Sequence, residues 1–287
     1  MANLIRQTLF YTEGNRTLPI LISFPMNQST KITVLISTYN NRAYVAKKLA
    51  EILRQSIFHE AEFIFLETAS PEREREELAP FCKEYENCRL ITTENRLSLY
   101  EAWNLGWKSA TAPIVCISNM DDAMHPRLLE LVVDAMQANH WDLGTALIAK
   151  QNLDDPERDS WTTKRLKKLK LQERPGSFFV WRRDLLKDFG GFDTKFVIAG
   201  DKDFWARADH RKLSMGVVPH ILYLYTKHAN QLSKSPKYQS LKDADKTHLA
   251  SKPYPHIWPK EITHTVRKIK RRGRIPFLGN KTRFIEL

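Results

Sequence analysis

The sequence has no apolar run long enough to span a bilayer, few cysteines and no secretory signal. A membrane-spanning helix needs about 20 apolar residues, and no run in the chain approaches that length. The first residues lack the basic, apolar and small-residue order of a signal peptide. Three cysteines (Cys82, Cys88 and Cys116) cannot all pair, and no Cys or His spacing typical of a metal site is present. We therefore expect a reduced, cytoplasmic setting.

Acidic residues are outnumbered by basic ones. The chain has 45 Lys and Arg against 33 Asp and Glu, and the net charge of +12 calls for a polyanionic neighbour. Much of the excess lies in the runs 164–170 and 267–274. Such runs are commonly solvated surface, and the functional alternative is contact with anionic lipid headgroups or a phosphorylated acceptor. No recognised nucleic-acid-binding motif accompanies them, so nucleic acid is not an expected partner.

From Lys31 the sequence alternates between strand and helix patterns. Helical periodicity places Val45, Leu49, Ile52 and Leu53 on one face. Short β-branched or apolar runs predict strands at 32–36, 63–66, 89–92, 142–148 and 177–181, with a further run from Ile114. This alternation predicts right-handed βαβ units and a largely parallel sheet. Before it, 18–24 and the turn residues 12–15 are compatible with a hairpin.

The run from Ile114 stops at two adjacent carboxylates, Asp121 and Asp122, and Pro126 then opens an amphipathic helix. In an open α/β sheet, ligands bind beyond the carboxyl ends of the strands. Two acids at that edge suit a hard divalent cation, which prefers oxygen ligands and shares them with substrate phosphates. The alternative is that both acids only cap the following helix.

Five short blocks occur in a particular order. They are Ser37-Thr-Tyr-Asn40, Glu94-Asn-Arg with Ala102-Trp-Asn-Leu-Gly106, Asn119-Met-Asp-Asp122, Gly190-Gly-Phe-Asp193 and Gly200-Asp-Lys-Asp-Phe-Trp205. With these blocks the chain resembles the family 2 glycosyltransferases of the GT-A fold over about 31–233. The resemblance implies a Rossmann-like three-layer α/β sandwich with a mostly parallel central sheet and a C-terminal acceptor-side extension.

The corresponding division is an N-terminal extension of unknown role (1–30), a GT-A domain (31–233) and a basic C-terminal extension (234–287). Within the domain, 31–125 would be the nucleotide-binding half and 126–233 the acceptor half. The implied activity is inverting, hexosyltransferase-type transfer from a nucleoside-diphosphate sugar, most often a UDP-sugar, with Mn²⁺ or Mg²⁺. The implied acceptor is a surface polysaccharide or a lipid-linked glycan, with the basic C-terminus held against the inner face of the membrane.

The resemblance assigns roles residue by residue. Asp121 matches the metal-binding acid of the family's Asp-x-Asp motif, and Asn119 replaces the first acid without its charge. Asp122 would support this site, and His228 would lie beside the metal or the diphosphate. Asp201 matches the catalytic base, although the alternative is a helix N-cap, whose dipole would lower the pKa of the carboxyl unless burial raises it. Asp203 is the nearest rival as base.

The remaining implied residues surround the donor and the acceptor. Ser37 and Tyr39 would meet the nucleobase, and Glu67 stands where an aspartate commonly binds it. Arg96 and Asn104 would reach the diphosphate or the sugar. The residues expected on the acceptor side are Trp181, Asp203 and Trp205, although core packing explains the tryptophans equally well.

The sequence bears on three other functions. Asn119 and the absent Asp-Gly after the second strand would suit an inactive relative that only binds sugar nucleotides. A nucleotidylyltransferase needs a glycine-rich basic loop after the first strand, and 37–42 has no glycine. Nucleic-acid binding rests on charge alone.

Overall fold

A computed structural model describes residues 4–13, 16–25, 30–229, 231, 236, 238–255, 257–272, 274–277 and 283–286. The chain divides into two compact units, 1–30 and 31–287. In the first unit, β1 (Leu4–Glu13) and β2 (Arg16–Pro25) pair as an antiparallel hairpin. Two residues of the turn expected at 12–15 lie outside the described residues.

In the second unit the predicted alternation is present. Its first elements are β3 (Ile32–Thr38), α1 (Arg42–Ile52), β4 (Ala61–Thr68), α2 (Arg75–Glu84), β5 (Cys88–Thr93), α3 (Leu99–Ser109), β6 (Ile114–Ile117), β7 (Ala123–Met124) and α4 (Leu128–Ala138). The next are β8 (Leu143–Asn152), α5 (Thr163–Leu166), β9 (Lys170–Gln172), β10 (Val180–Arg182), α6 (Leu185–Phe189), α7 (Gly200–His210) and β11 (Met215–Lys227). The last are α8 (Tyr238–Ala250), α9 (Lys260–Arg272), β12 (Arg274–Phe277) and β13 (Arg283–Glu286).

The central sheet has nine strands in the order β5-β4-β3-β6-β10-β8-β11-β7, with β9 paired to β8. Strands β3, β4, β5 and β6 are parallel, and β8 and β11 are parallel to each other. Because β10 is antiparallel to both β6 and β8, all six of these strands run in the same direction. This confirms the predicted α/β class with a mostly parallel sheet.

The two faces of the sheet bury two separate apolar layers. Alternate residues of β3 divide between them, since Ile32, Val34 and Ile36 pack in one cluster and Leu35 in the other. The first cluster is closed by α1 and α4, and the predicted apolar face of α4 is buried in full. The second is closed by α3, α7 and a set of aromatic rings, including Trp103, Trp107, Phe179, Trp181, Phe192 and Phe204.

Local features of the sequence explain one helix and one strand near the site. Helix α3 starts at a capping box, in which the Ser98 hydroxyl accepts the Glu101 N–H and the Glu101 carboxylate accepts the Ser98 N–H. Strand β11 continues past Pro219, where the pairing with β8 shifts register between Val218 and Ile221. This irregularity accommodates the missing proline N–H, so the strand is not broken there.

The segment after β11 packs on the same unit. Asp245 of α8 and Ile262 and Val266 of α9 are buried, although much of both helices is polar. The predicted end of the GT-A domain at residue 233 lies outside the described residues. Residue 273, in the second basic run, also lies outside them. Within the described part of the chain, no helix has the length and apolar character required to cross a lipid bilayer.

Candidate active site

The turn after β6 is built around Asp122, which is fully buried. Its Oδ2 accepts hydrogen bonds from Asn119 Nδ2 (2.9 Å) and from the Tyr223 hydroxyl (3.0 Å), and its Oδ1 accepts the Thr226 N–H (2.8 Å). Burial and the nearby charge of Asp121 raise the pKa of Asp122 well above its ordinary value. The side chain thus ties the turn to β11 and supports the edge of the site from behind.

A buried lysine completes this support, and sequence reasoning missed it. Lys48 of α1 has no exposed surface, and its ammonium donates to Glu51 Oε1 (2.8 Å), Ser118 Oγ (3.3 Å) and the Asp122 carbonyl (3.0 Å). A buried charge is tolerated only when it is paired and hydrogen-bonded, as here. The available signal was the spacing of Lys48 from Val45, which places it on the buried face of α1.

Asp121 meets His228 at the front of this turn. Asp121 Oδ2 lies 2.7 Å from His228 Nε2, although the two residues are 107 positions apart. The His228 Nδ1 is buried and has no hydrogen-bond partner among the described residues. The backbone N–H of His228 donates to Gln231 Oε1 (3.3 Å), and Gln231 Nε2 in turn donates to the Thr226 carbonyl (2.7 Å). The structure therefore brings together the two residues predicted to hold a metal.

Two side chains at this turn are suited to binding a divalent cation. Asp121 offers a carboxylate oxygen and His228 a ring nitrogen, and Mg²⁺ and similar ions are often held by one or two carboxylates plus substrate phosphates. The side-chain amide nitrogen of Asn119 donates a hydrogen bond to Asp122. In the part of the chain that the structure describes, no group of three His, Cys, Asp or Glu side chains forms a complete cage. The donor set fits a cation shared with a substrate.

The predicted nucleotide side lies at the ends of β3 and β4. The Arg96 guanidinium stacks on the Tyr39 ring, with its central carbon 3.9 Å from the ring centroid. Trp103 Nε1 donates to Ser37 Oγ (3.4 Å). The Glu67 carboxylate is fully buried and accepts the Ser70 N–H.

Asn104, which is predicted to reach the diphosphate or the sugar, contacts the backbone of a loop. Its Nδ2 donates to the Phe192 carbonyl (2.8 Å) and its Oδ1 accepts the Phe192 N–H (2.7 Å), so both amide atoms serve the backbone. A Cβ on Gly191 would lie 2.4 Å from Asn104 Oδ1, which explains glycine at this position. Asn104 therefore holds the 190–192 loop against α3.

Asp201 is half-buried in the first turn of α7. Burial raises the pKa of Asp201 to about 7, although the Lys202 N–H, which donates to its Oδ1 (2.8 Å), favours the ionised form. Its Oδ2 faces Gly176 so closely that a Cβ there would lie 2.3 Å away. Burial thus outweighs the effect of the helix N-terminus, which alone would lower the pKa.

Contacts connect Asp201 to the strand edge that carries the nucleotide-side residues. The Asp201 N–H donates to the Tyr100 hydroxyl (3.4 Å), and the Tyr100 ring packs edge-on against Trp103 (5.4 Å between centroids). Trp103 in turn bonds Ser37 at the end of β3. Helix α3 therefore links the candidate base to the nucleotide side.

The expected acceptor-side residues are in the interior. Trp181 and Trp205 have no exposed surface and pack in the aromatic layer with Phe179. Asp203 is buried, its Oδ1 accepts the Tyr254 hydroxyl (2.7 Å), and its Oδ2 lies 3.9 Å from Arg207 Nε. In this structure all three side chains contribute to packing, and Asp203 also contacts Tyr254 of the C-terminal segment.

Comparisons with known proteins identify the family and the fold. The family model described as "Glycosyl transferase family 2" matches residues 33–190, more than half of the chain. A structure of S. aureus TarS 1-349 with UDP-GlcNAc superposes with a TM-score of 0.59 at 14% identity, covering 85% of this chain and 73% of that one. The longer S. aureus TarS structure superposes with a TM-score of 0.57 at 15% identity, and the match covers 85% of this chain and 43% of that chain.

A mannosyltransferase, PcManGT from Pyrobaculum calidifontis in complex with GDP-Man and Mn²⁺, superposes with a TM-score of 0.56 at 15% identity. The match covers 83% of this chain and 69% of that chain. No curated protein matches the sequence. The structural similarity confirms the predicted GT-A fold.

Proposed function

The chain belongs to glycosyl transferase family 2, and we propose that it is an inverting transferase that moves a hexose from a nucleoside-diphosphate sugar to an acceptor hydroxyl. The observation that carries the proposal is Asp201, a half-buried carboxyl whose pKa is raised to about 7 at the start of α7. A general base works best when its pKa lies near the working pH.

Asp201 would take the proton of the acceptor hydroxyl. As that proton moves to the carboxylate, the acceptor oxygen forms a bond to the anomeric carbon from the face opposite the leaving group. The bond between the anomeric carbon and the diphosphate oxygen breaks, and the nucleoside diphosphate leaves with the electron pair. One displacement at one carbon inverts its configuration.

Asp121 and His228 would hold a divalent cation, Mn²⁺ or Mg²⁺, between protein and diphosphate. Their 2.7 Å contact and the buried support of Asp122 fix both donors in place. When bound, the cation supplies positive charge that stabilises the departing diphosphate. Asn119 brings no charge, so the cation would depend on the donor's phosphates for further ligands. The complex of PcManGT contains Mn²⁺, which supports the use of a divalent cation.

The donor would bind along the ends of β3 and β4. The stacked pair of Tyr39 and Arg96 offers an aromatic face and a cation, suited to a nucleobase and to a phosphate. Glu67 Oε2 is buried without a hydrogen-bond partner among the described residues, and Arg75 Nε lies 3.5 Å away. A base N–H would satisfy that oxygen. TarS is solved with UDP-GlcNAc, which supports a UDP-sugar as donor here.

The acceptor would be a surface glycan or its lipid-linked precursor, reached from an anionic membrane surface. The two basic runs, far apart in sequence, share one apolar cluster, to which the first contributes Leu166 and Leu169 and the second contributes Ile269. Glu173 accepts hydrogen bonds from both Arg267 Nε (3.0 Å) and Lys270 Nζ (3.2 Å). Their other exposed cations are Lys164, Lys167, Lys168, Lys170, Lys268, Arg271 and Arg272.

Vesicle sedimentation tests the membrane proposal. The protein is expected to bind vesicles containing anionic phosphatidylglycerol and to be released by salt, because headgroup attraction contributes about 1 kcal/mol per basic residue. Reversing Lys268 and Arg271 to Glu should weaken binding by about tenfold or more. Equal binding to neutral vesicles would contradict an electrostatic contact.

An inactive sugar-nucleotide-binding relative is the second candidate. It is favoured by Asn119, whose amide is committed to Asp122 and adds no negative charge to the cation site. Thermal-shift measurements with nucleotides and nucleotide sugars, with and without Mn²⁺, identify the donor because a bound ligand raises the melting temperature. Transfer or hydrolysis of that donor then supports the enzyme. Tight donor binding without any turnover would support the inactive relative.

Placing a methyl group opposite the base tests the mechanism. In Gly176→Ala the new Cβ would lie 2.3 Å from Asp201 Oδ2, so the carboxylate must rotate away. We expect kcat to fall about 100-fold with unchanged donor affinity, because displacements of about 1 Å have effects of this size. In an Asp201→Ala background the same change should have little further effect. An equal loss in both backgrounds would show that Gly176 does not act through Asp201.

A further inference from the structure

Helix α8 places a carboxylate against the segment that leads into α7. Asp245 is 2% exposed, its Oδ1 accepts the Val197 N–H (3.0 Å), and its Oδ2 accepts the N–H groups of Ile198 and Ala199 (both 2.8 Å). The N-cap of α7 is Ala199, whose side chain has no acceptor. Asp245 therefore supplies from another helix the type of acceptor that a capping side chain ordinarily provides.

A second contact fastens α8 to the same segment. Asp193 Oδ2 lies 2.8 Å from His248 Nε2 and also pairs with Lys252. The His248 ring packs on Phe196, with 4.5 Å between centroids. The stretch from 193 to 199 is therefore held at both ends by residues that follow the predicted GT-A domain.

This segment ends at the candidate base. Asp201 lies two residues beyond Ala199, and its own N–H donates to the Tyr100 hydroxyl. Gly200 lies directly on the Tyr100 ring, where a Cβ would be 2.6 Å from Cζ. The backbone on the N-terminal side of Asp201 is thus fixed by Asp245 and the residue itself by Tyr100. Between them they set the direction of the carboxylate, which faces Gly176.

We propose that Asp245 is a positioning residue: its carboxylate holds the 197–199 backbone so that Asp201 faces the acceptor. The inference rests on the proposed function, because it takes Asp201 to be the base. Asp245 touches neither donor nor acceptor in this arrangement. It acts through three backbone N–H groups and through its charge.

In the described ranges, four charged or titratable groups act on Asp201 or on its neighbour Lys202. They are Lys202 on its own helix, Asp245 on α8 and Tyr100 on α3, and Arg174 acts on Lys202 from the loop before β10. The negative charge of Asp245 raises the pKa of Asp201, as burial does more strongly. Removing that charge should lower the pKa of Asp201, an effect that loss of a structural contact alone would not produce.

The test compares Asp245→Asn with Asp243→Asn. Asp243 lies on the same helix, is exposed, and its carboxylate accepts only the Gln239 amide among the described contacts. Amide hydrogen exchange over 197–201 and the carboxyl pKa of Asp201, followed by carbon-13 NMR, are measured on the full chain. In Asp245→Asn, exchange should be at least tenfold faster, the Asp201 pKa lower, and kcat about tenfold lower with an unchanged donor KM. Asp243→Asn should match the unsubstituted protein.

The outcomes separate the two proposals. If exchange and the Asp201 pKa in Asp245→Asn equal those of Asp243→Asn, the positioning role is overturned, whether or not the protein transfers sugar. It is also overturned if exchange accelerates while kcat is unchanged. Absence of transfer from every donor by the unsubstituted protein refutes the proposed function, and exchange and NMR still decide on Asp245. If Asp245→Asn does not fold, Asp245→Glu serves: it should keep the raised Asp201 pKa but lose protection at 197–199.

Discussion

Asp201→Asn is expected to lower kcat for sugar transfer by about 10²–10⁴-fold, the usual contribution of a general base. An asparagine at this position can still accept the Lys202 N–H, so the start of α7 should keep its structure. Binding of donor and Mn²⁺ should be unchanged, because Asp121 and His228 are not affected. Steady-state kinetics together with donor titration separate the two effects.

The pH dependence of the unsubstituted protein belongs to the same test. The base acts in its deprotonated form, and burial raises the pKa of Asp201 to about 7. The rate should therefore fall as pH drops below about 7 and level off above it. This acidic limb should be absent from the residual activity of Asp201→Asn. Asp209→Asn, on the same helix, is the control and should keep both the transfer rate and its decrease at acidic pH. Near-normal transfer by Asp201→Asn would mean that the base is elsewhere.

A stability measurement excludes simple unfolding of Asp201→Asn. The pKa of Asp201 is about 7 when folded, against about 3.9 for an unperturbed aspartate. A raised pKa contributes stability at low pH that is lost as pH rises from about 4 through about 7. At pH 8 the ionised, buried carboxylate therefore destabilises the fold. Asp201→Asn should melt at the same temperature as the unsubstituted protein or higher at pH 8, since active-site groups often cost stability.

Asp121→Ala should abolish metal-dependent donor binding. The substitution removes the carboxylate of the candidate cation site and leaves His228 without its partner. Calorimetric titration with UDP or the identified UDP-sugar in Mn²⁺ should show an affinity about 100-fold lower or more, because a bound cation provides several kcal/mol of stabilisation to phosphate charge. Without Mn²⁺, variant and unsubstituted protein should bind the nucleotide equally.

His228→Ala should show the same pattern with a smaller loss, since one charged donor remains. The control is His264→Ala, which changes an exposed histidine on α9. If Asp121→Ala binds donor in Mn²⁺ as tightly as the unsubstituted protein, the cation is held by other groups or is not used.

The sequence predicts best where a pattern is local. The apolar face of α4 and the strands from β3 to β6 follow from spacing alone, because each pattern is completed within one element. The roles of Asp121 and His228 are predicted only through the resemblance to the family. The structure places them in contact, which spacing could not have shown across 107 positions.

The sequence predicts least where burial decides what a side chain contacts. Trp181, Trp205 and Asp203 carry groups suited to a sugar, but all three face the interior. Asn104 has an amide suited to a phosphate and instead binds backbone atoms 88 residues away. The role of Asp245 cannot be predicted from the sequence, because its partners are backbone N–H groups, which do not depend on the identity of the side chains there.

The pairing of β11 with the turn after β6 has a consequence for folding. Tyr223 and Thr226 of β11, and His228 directly after it, contact the 119–122 turn although they lie about 100 residues later in the chain. Contacts between distant segments form slowly, because the chain entropy is lost before the contact is gained. Strands β3 to β6 can associate early, while the edge of the sheet proposed to bind the nucleotide sugar remains incomplete. Nucleotide affinity should therefore appear in the last phase of refolding, after most of the sheet has formed.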